Sequence, residues 1–401
     1  MRVKQTYKKG STMLSKRIQT LSASLTIAIS SLARDLKAEG KDVISFSAGE
    51  PDFDTPDAVK NAAKKALDNG ETKYTAVAGT PQLLQAVAEK LKRENGLSYA
   101  PNQILTNNGA KHSLFNLFQA LVDDGDEVII PAPYWVTYPE LVKYSGGTSV
   151  IIDTNDESGF KITPEQLKDA ITSKTKMLIL TSPSNPTGAV YSKAELKALA
   201  EVLKGTNVIV ASDEMYEKLV FGETEFVASA SISEDMYNRT ITINGLSKSA
   251  AMTGWRFGYM ASANTELISV MNKLQSQSTS NINSITQAAA IVGLNGTIDT
   301  EVEEMRVAFE GRCNEAVELF NAVDGLSVVK PNGAFYLFVN IKKVSNDSMQ
   351  FCKDLLEEQG VAVVPGVGFG SEGYFRFSFA TDIETIRIGV KRIEAFVQGL
   401  K

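Results

Sequence analysis

Seven short runs of β-branched and aliphatic residues recur along the middle of the chain: Ile104–Thr106, Glu127–Ile130, Ser149–Ile152, Met177–Leu180, Val208–Ala211, Thr240–Ile243 and Phe257–Ala261. Helical or polar segments separate most of them. Strands that alternate with helices are expected to form a mainly parallel sheet sandwiched by helices on both faces, an α/β fold. In such sheets ligands bind beyond the carboxyl ends of the strands. Gly109, Tyr134, Trp135, Asn185, Asp213, Tyr216 and Lys248 all follow one of these runs, so this rule gathers them on one rim.

The rest of the chain divides around that core. Residues 1–12 are basic and polar and read as a leader outside the fold. Residues 13–56 form an N-terminal segment expected to pack on a smaller domain, 57–295 a large domain, and 296–401 a smaller α+β domain that opens with a long charged helix over Glu301–Ala322. Predicted helices include Asp57–Asn69, Gln82–Asn95 and one ending near Val122. The loop Ser47–Pro56 carries Gly49, which could let backbone approach a ligand and equally suits an ordinary turn.

Composition excludes several chemistries. A net charge of −6 lacks the basic balance of a nucleic-acid binder. The single histidine, His112, with two distant cysteines, Cys313 and Cys352, leaves no histidine-based triad and no common zinc site. His112 falls on the polar side of a helix with Asn116 and Gln119 and reads as solvated; both cysteines read as buried. The chain has neither a signal-peptide pattern nor a long apolar run, so a cytoplasmic protein with no membrane and no nucleic-acid partner is expected.

The stretch Thr240–Tyr259 concentrates the chemistry. Its strand delivers Lys248 into a loop of small residues (Ser247, Ser249, Ala250, Ala251), and Arg256 follows with a planar fork suited to a phosphate. A lysine at the end of an apolar strand beside a cation can have its pKa lowered and attack a carbonyl. Asn108-Gly-Ala-Lys111 opens a helix, where free amides favour an anion. Asp213 could keep a heteroaromatic nitrogen protonated, and equally suits capping a following helix. Tyr216 can present a phenol to that ring. Trp135 offers a stacking face or fills a core. No Walker-type sequence exists, and Gly366–Gly370 lacks the last glycine of a dinucleotide fingerprint and reads as a flexible turn.

Ser182-Pro-Ser-Asn-Pro-Thr-Gly188, Asp213-Glu-Met-Tyr216, Ser247-Lys-Ser249 with Arg256, and Phe375-Arg-Phe377 together resemble the class I aminotransferases of the aspartate aminotransferase type, from about Leu14 to the C-terminus. The resemblance implies a pyridoxal 5'-phosphate cofactor, a two-domain fold, a homodimer with active sites at the subunit interface, and amino acids and 2-oxo acids as partners. By that likeness Lys248 resembles the lysine that holds the cofactor in a Schiff base and afterwards moves the substrate proton. Asp213 is similar to the ring-nitrogen partner, Tyr216 and Asn185 to donors at the ring oxygen, and Trp135 to the stacking residue. Gly109, Ala110 and Arg256 resemble the phosphate clamp, with Tyr74 reaching the neighbouring subunit's phosphate. Arg376 resembles the fork for the substrate α-carboxylate, helped by the backbone at Gly49, with Trp135 and Asn185 also facing substrate.

Two departures matter. Gly245 stands where one common pattern has a phosphate-binding serine, which shifts that task to backbone or to Ser249. No arginine lies between Arg256 and Arg306, so the chain resembles the bacterial subgroup in which a lysine reads the distal carboxylate. Lys111 is the candidate, against a plain solvated lysine. The expected reaction is transamination between L-aspartate or glutamate and a 2-oxo acid such as 2-oxoglutarate. Aromatic or prephenate substrates, a β-eliminating lyase, a non-enzymatic regulatory protein on this fold and an NAD-dependent dehydrogenase are the alternatives.

Overall fold

A computed structural model describes residues 14–400 except Ser24; the leader assigned to residues 1–12 lies outside the described residues. In chain order the elements are α1 (Leu25–Ala38), β1 (Ile44–Ser45), α2 (Asp57–Asp68), α3 (Pro81–Asn95), β2 (Ile104–Asn108), α4 (Ala110–Leu121), β3 (Glu127–Ala132), α5 (Thr137–Tyr144), β4 (Thr148–Asp153), α6 (Pro164–Ala170), β5 (Thr175–Thr181), α7 (Lys193–Leu203), β6 (Ile209–Asp213), α8 (Glu234–Arg239), β7 (Thr240–Gly245) and β8 (Phe257–Ser262). There follow α9 (Thr265–Ser276), α10 (Ser284–Leu294), α11 (Asp299–Ala322), β9 (Ser327–Val328), β10 (Tyr336–Asn340), α12 (Ser348–Gln359), β11 (Val361–Ala362), β12 (Val364–Pro365), β13 (Tyr374–Ser378) and α13 (Ile383–Gly399).

All seven apolar runs are strands of one sheet, in the order β2-β8-β7-β6-β5-β3-β4. Strands β3 to β7 pair in parallel, whereas β8 runs antiparallel to both β7 and β2. The central strands are buried along their length, as a sheet covered on both faces requires: every residue of β7 and β8 is buried. The mainly parallel, helix-covered sheet therefore stands as expected.

Reversal of β8 has a direct consequence for the site. Its first residue, Phe257, pairs with Asn108 at the end of β2, and Gly258 pairs with Gly245 at the end of β7. Arg256, at the start of a strand, thus shares the rim formed by the ends of its antiparallel neighbours β2 and β7.

A second, four-stranded antiparallel sheet, β12-β13-β10-β9, lies among the later elements. Phenylalanines fill its core: Phe320 meets Phe377 edge to face at 5.0 Å between ring centroids, and Phe351 stacks on Phe375 at 5.8 Å. The N-terminal segment joins this part of the molecule, because β1 pairs in parallel with β11 and Ala33 of α1 packs with Val43, Leu356 and Ala362.

Three expectations change. Half-buried His112 is not a solvated residue: its Nδ1 accepts from the Asn108 amide at 3.2 Å, and burial lowers its pKa. The polar side of α4 is covered, since Asn116 is fully buried and donates to Gln275 of α9. No helix follows Asp213, so it caps none; a turn occupies 215–218, and Asp213 Oδ1 accepts from the Met215 amide. Gly366–Phe369, expected as a flexible turn, forms a 3-10 turn anchored by buried Gly366 and Phe369. Both cysteines are buried and free, as expected.

Candidate active site

The rim brings together most of the residues singled out from the sequence. Half-buried Lys248 donates to the carbonyl of Gly49, and its Nζ stands 5.9 Å from the centre of the Tyr216 ring and 5.7 Å from that of Phe335. Burial first, then the nearby charges, set its pKa at about 8. A larger share of this amine is neutral near pH 7 than for a surface lysine, which suits attack on a carbonyl.

Asp213, only 5% exposed, closes β6. Its Oδ2 accepts from Tyr138 Oη at 2.7 Å, and Tyr138 also meets Thr181 Oγ1 at 2.8 Å. Burial raises the Asp213 pKa, opposed by the Tyr138 hydrogen bond, the Met215 amide and the Lys248 charge. A carboxylate so placed gains from a cationic partner, such as a protonated ring nitrogen.

The anion-binding end is built from β2, α4 and Arg256. Gly109 precedes α4 with φ +81°, a conformation side chains disfavour, and a Cβ there would fall 2.9 Å from Arg256 Cζ. Arg256 Nη1 donates to the Thr253 carbonyl at 2.8 Å and Nη2 to that of Asn108 at 3.4 Å. The guanidinium is thereby held beside the first amides of α4 at Ala110 and Lys111, the groups a helix leaves unpaired. Arg256 and Asn108 line an open cleft of about 550 Å³. This arrangement fits a phosphate.

Gly245 is explained by packing. A Cβ there would lie 2.6 Å from the Phe257 carbonyl oxygen and 3.0 Å from Gly258 Cα, so β7 and β8 admit no serine at that position. Ser249 lines a separate small cavity with Glu217 and Tyr259.

Arg376, on β13, is 2% exposed. Nη1 donates to Asn185 Oδ1 and Nη2 to the Ser47 carbonyl, each at 2.9 Å. The guanidinium lies 4.4 Å from the Tyr336 ring centre and 5.1 Å from that of Phe369. Its Nε is buried without a partner among the described residues. A cation so enclosed, with no carboxylate hydrogen-bonded to it, favours an incoming anion.

Lys111 reaches across the Trp135 ring, 4.8 Å from its centre, and desolvation followed by the Arg256 charge lowers its pKa. Tyr74, by contrast, is 91% exposed and joins none of the other residues within its own chain. Sequence reasoning missed Tyr138 and Tyr336. Tyr138 carried one signal, its position three residues after Trp135 at a helix start; the two rings meet edge to face at 5.5 Å.

The model of aminotransferase class I and II matches residues 41–393. The aspartate aminotransferase of Bacillus subtilis (strain 168) is 47% identical, the match covering 96% of this chain and 99% of that protein. The chain belongs to the class I and II aminotransferases. An aspartate/prephenate aminotransferase of Cereibacter sphaeroides is 49% identical over 96% of this chain and 99% of its own length. Among solved structures, the aspartate aminotransferase from Rhizobium meliloti superposes with a TM-score of 0.93 at 44% identity, covering 97% of this chain and 99% of that one. That from Thermus thermophilus with maleate gives 0.93 at 42%, covering 96% and 100%. An enzyme of this family thus replaces the dehydrogenase and the non-enzymatic binding protein. Among the described residues there is neither a helix long and apolar enough to cross a membrane nor an acidic, histidine and cysteine group that could hold a metal.

Proposed function

We propose that this aminotransferase moves the amino group of L-aspartate, or glutamate, to a 2-oxo acid such as 2-oxoglutarate, with pyridoxal 5'-phosphate as cofactor. The observation that carries the reading is a rim holding a lysine with pKa about 8 and a buried carboxylate, faced by an enclosed arginine fork from the second sheet. When bound, the cofactor supplies an aldehyde carbon and a protonated ring that accepts the electron pair released at the substrate Cα.

Protein groups supply position and proton transfer. Asp213 stabilises the ring-nitrogen proton, while Asn185 and Tyr216 donate to the ring oxygen. Gly109, Ala110 and Arg256 hold the phosphate, and Trp135 stacks on the ring. Arg376 grips the α-carboxylate beside Gly49, so the Cα proton faces Lys248, whose Nζ accepts it and returns it. Lys111, lying over Trp135 beside Arg256, meets the distal carboxylate. The Thermus thermophilus relative was solved with maleate, a four-carbon dicarboxylate.

The remaining features support a homodimer. Exposed Tyr74 and the open cleft at Arg256 leave room for a second copy to complete the phosphate site. A relative named for aspartate and prephenate keeps a second reading open, in which the pocket also takes a ring-bearing dicarboxylate.

Comparing kcat/KM for aspartate and phenylalanine in the parent enzyme and in Lys111→Gln tests the substrate. The aspartate preference of the parent is expected to fall by about tenfold to a hundredfold, the worth of one charge-assisted hydrogen bond of ~1.5–3 kcal/mol. Preference for phenylalanine in the parent would refute the acidic assignment.

A further inference from the structure

The two donors assigned to the ring oxygen, Asn185 and Tyr216, share a property that the reaction does not by itself demand. Each has an acceptor oxygen engaged by a residue of the four-stranded sheet. Asn185 Oδ1 accepts from Arg376 Nη1 at 2.9 Å, which fixes the amide so that Nδ2 is free to donate. Tyr216 Oη lies 2.9 Å from Tyr336 Oη. Tyr336 sits on β10 and Arg376 on β13, adjacent strands. Both donors, in contrast, follow strands of the seven-stranded sheet.

Either phenol could donate across the tyrosine pair, and the surroundings decide which. The Tyr336 ring lies 4.4 Å from the Arg376 guanidinium carbon, so that positive charge makes the Tyr336 hydroxyl the more acidic of the two and the better donor. The Tyr336 hydroxyl is also enclosed: the residue is fully buried, and a Cβ added at Gly49 would lie 3.1 Å from Oη. Tyr336 Oη has no hydrogen-bond partner other than Tyr216 among the described residues. If Tyr216 donated instead, the Tyr336 proton would be left buried without an acceptor, at a cost.

We propose that Tyr336 is a positioning residue, which donates to Tyr216 and so turns the Tyr216 proton toward the cofactor's ring oxygen, coupling that oxygen to the Arg376 carboxylate fork. This rests on the pyridoxal phosphate reading. Asn185 is turned the same way by Arg376 itself, so the carboxylate fork orders both donors. A phenol that accepts one hydrogen bond donates another more strongly. Tyr336 therefore strengthens the hydrogen bond that stabilises negative charge on the ring oxygen, without touching it.

The test is a pH titration of the visible absorbance of the cofactor-loaded enzyme. The groups facing the tyrosine pair are Arg376 from β13, Asp213 from β6 and Lys248 from its loop; none is changed. Tyr336→Phe keeps the ring beneath Arg376 and removes only the hydroxyl. Its absorbance midpoint is expected to move upward by about 0.5–1 unit, a three- to tenfold gain in proton affinity. Tyr216→Phe should move it at least as far, and the double variant no farther than Tyr216→Phe alone. KM for aspartate should change less than about twofold, since the ring under the fork remains.

An unchanged midpoint in Tyr336→Phe, or shifts that add in the double variant, would overturn the inference. Should Phe not be accommodated, 3-fluorotyrosine at position 336 preserves the ring and makes its hydroxyl a stronger donor. The midpoint should then move downward, and an upward or absent shift would count against the proposal. A parent protein with no visible band after incubation with pyridoxal phosphate would instead mean that the cofactor reading itself had failed.

Discussion

Asp213→Asn should separate cofactor binding from folding. Asp213 is 5% exposed and bonded by Tyr138 at 2.7 Å, and the asparagine carbonyl can still accept from Tyr138. What is lost is the negative charge proposed to face the ring nitrogen. Breaking a buried pair of this kind costs ~3–5 kcal/mol, which at 1.36 kcal/mol per decade is about 150- to 5000-fold. The loss should be shared between cofactor affinity, measured by equilibrium dialysis, and kcat with aspartate. The ligand-free protein should respond in the opposite sense. Burial raises the Asp213 pKa, so the folded state binds its proton more tightly than the unfolded state does. That carboxyl therefore costs stability increasingly as pH climbs above its ordinary value of 3.8. Asp213→Asn should then unfold at a temperature equal to or above the parent at pH 7, with the difference shrinking toward pH 4. A variant with both cofactor affinity and kcat within threefold of the parent would refute the charge-pair argument.

Three further outcomes follow from the same geometry. Arg376→Lys loses the fork that spans Asn185 and Ser47, and kcat/KM for aspartate should fall by about a hundredfold or more, chiefly through KM, as steady-state kinetics would register. Capture of pyridoxal phosphate by the ligand-free protein should accelerate as pH rises through about 8, where Lys248 loses its proton; a midpoint above 10 in stopped-flow absorbance would contradict the lowered pKa. Glu214, buried beside Glu217, has its pKa raised to about 8 and accepts from Ser212 Oγ and the Ser229 amide. A raised acid costs stability progressively between its ordinary value of 4.5 and about 8, and fully above that, so Glu214→Gln should raise the melting temperature at pH 9 and change it little at pH 5.

Much of this was readable in the chain because buried parallel strands are written as unbroken aliphatic runs, and the loops that follow them carry the chemistry. Lys248, Asp213, Asn185 and Gly109 all stand where the rim rule puts them. The direction of β8 was not readable, since an apolar run has no arrow. Arg256 could be paired with the helix start at Gly109 only by likeness to a family, until the antiparallel register with β2 put Phe257 opposite Asn108. Tyr336 hid inside the apolar run Ala334–Val339, where an aromatic residue reads as core; its hydroxyl matters because Tyr216 arrives from another sheet. His112 misled for the complementary reason: the polar side of α4 is met by Gln275 of α9, whose Oε1 accepts from Asn116. Contacts made across the fold leave no local periodicity to read.

The central claim is that one amine carries the cofactor. Reducing the yellow, cofactor-loaded enzyme with borohydride and locating the added mass by peptide mass spectrometry tests it directly. The account predicts a stoichiometric pyridoxyl phosphate adduct on Lys248, absent from Lys248→Ala, which should also show no transamination above about one part in a million of the parent. An adduct placed on another lysine, or turnover preserved in Lys248→Ala, would contradict it.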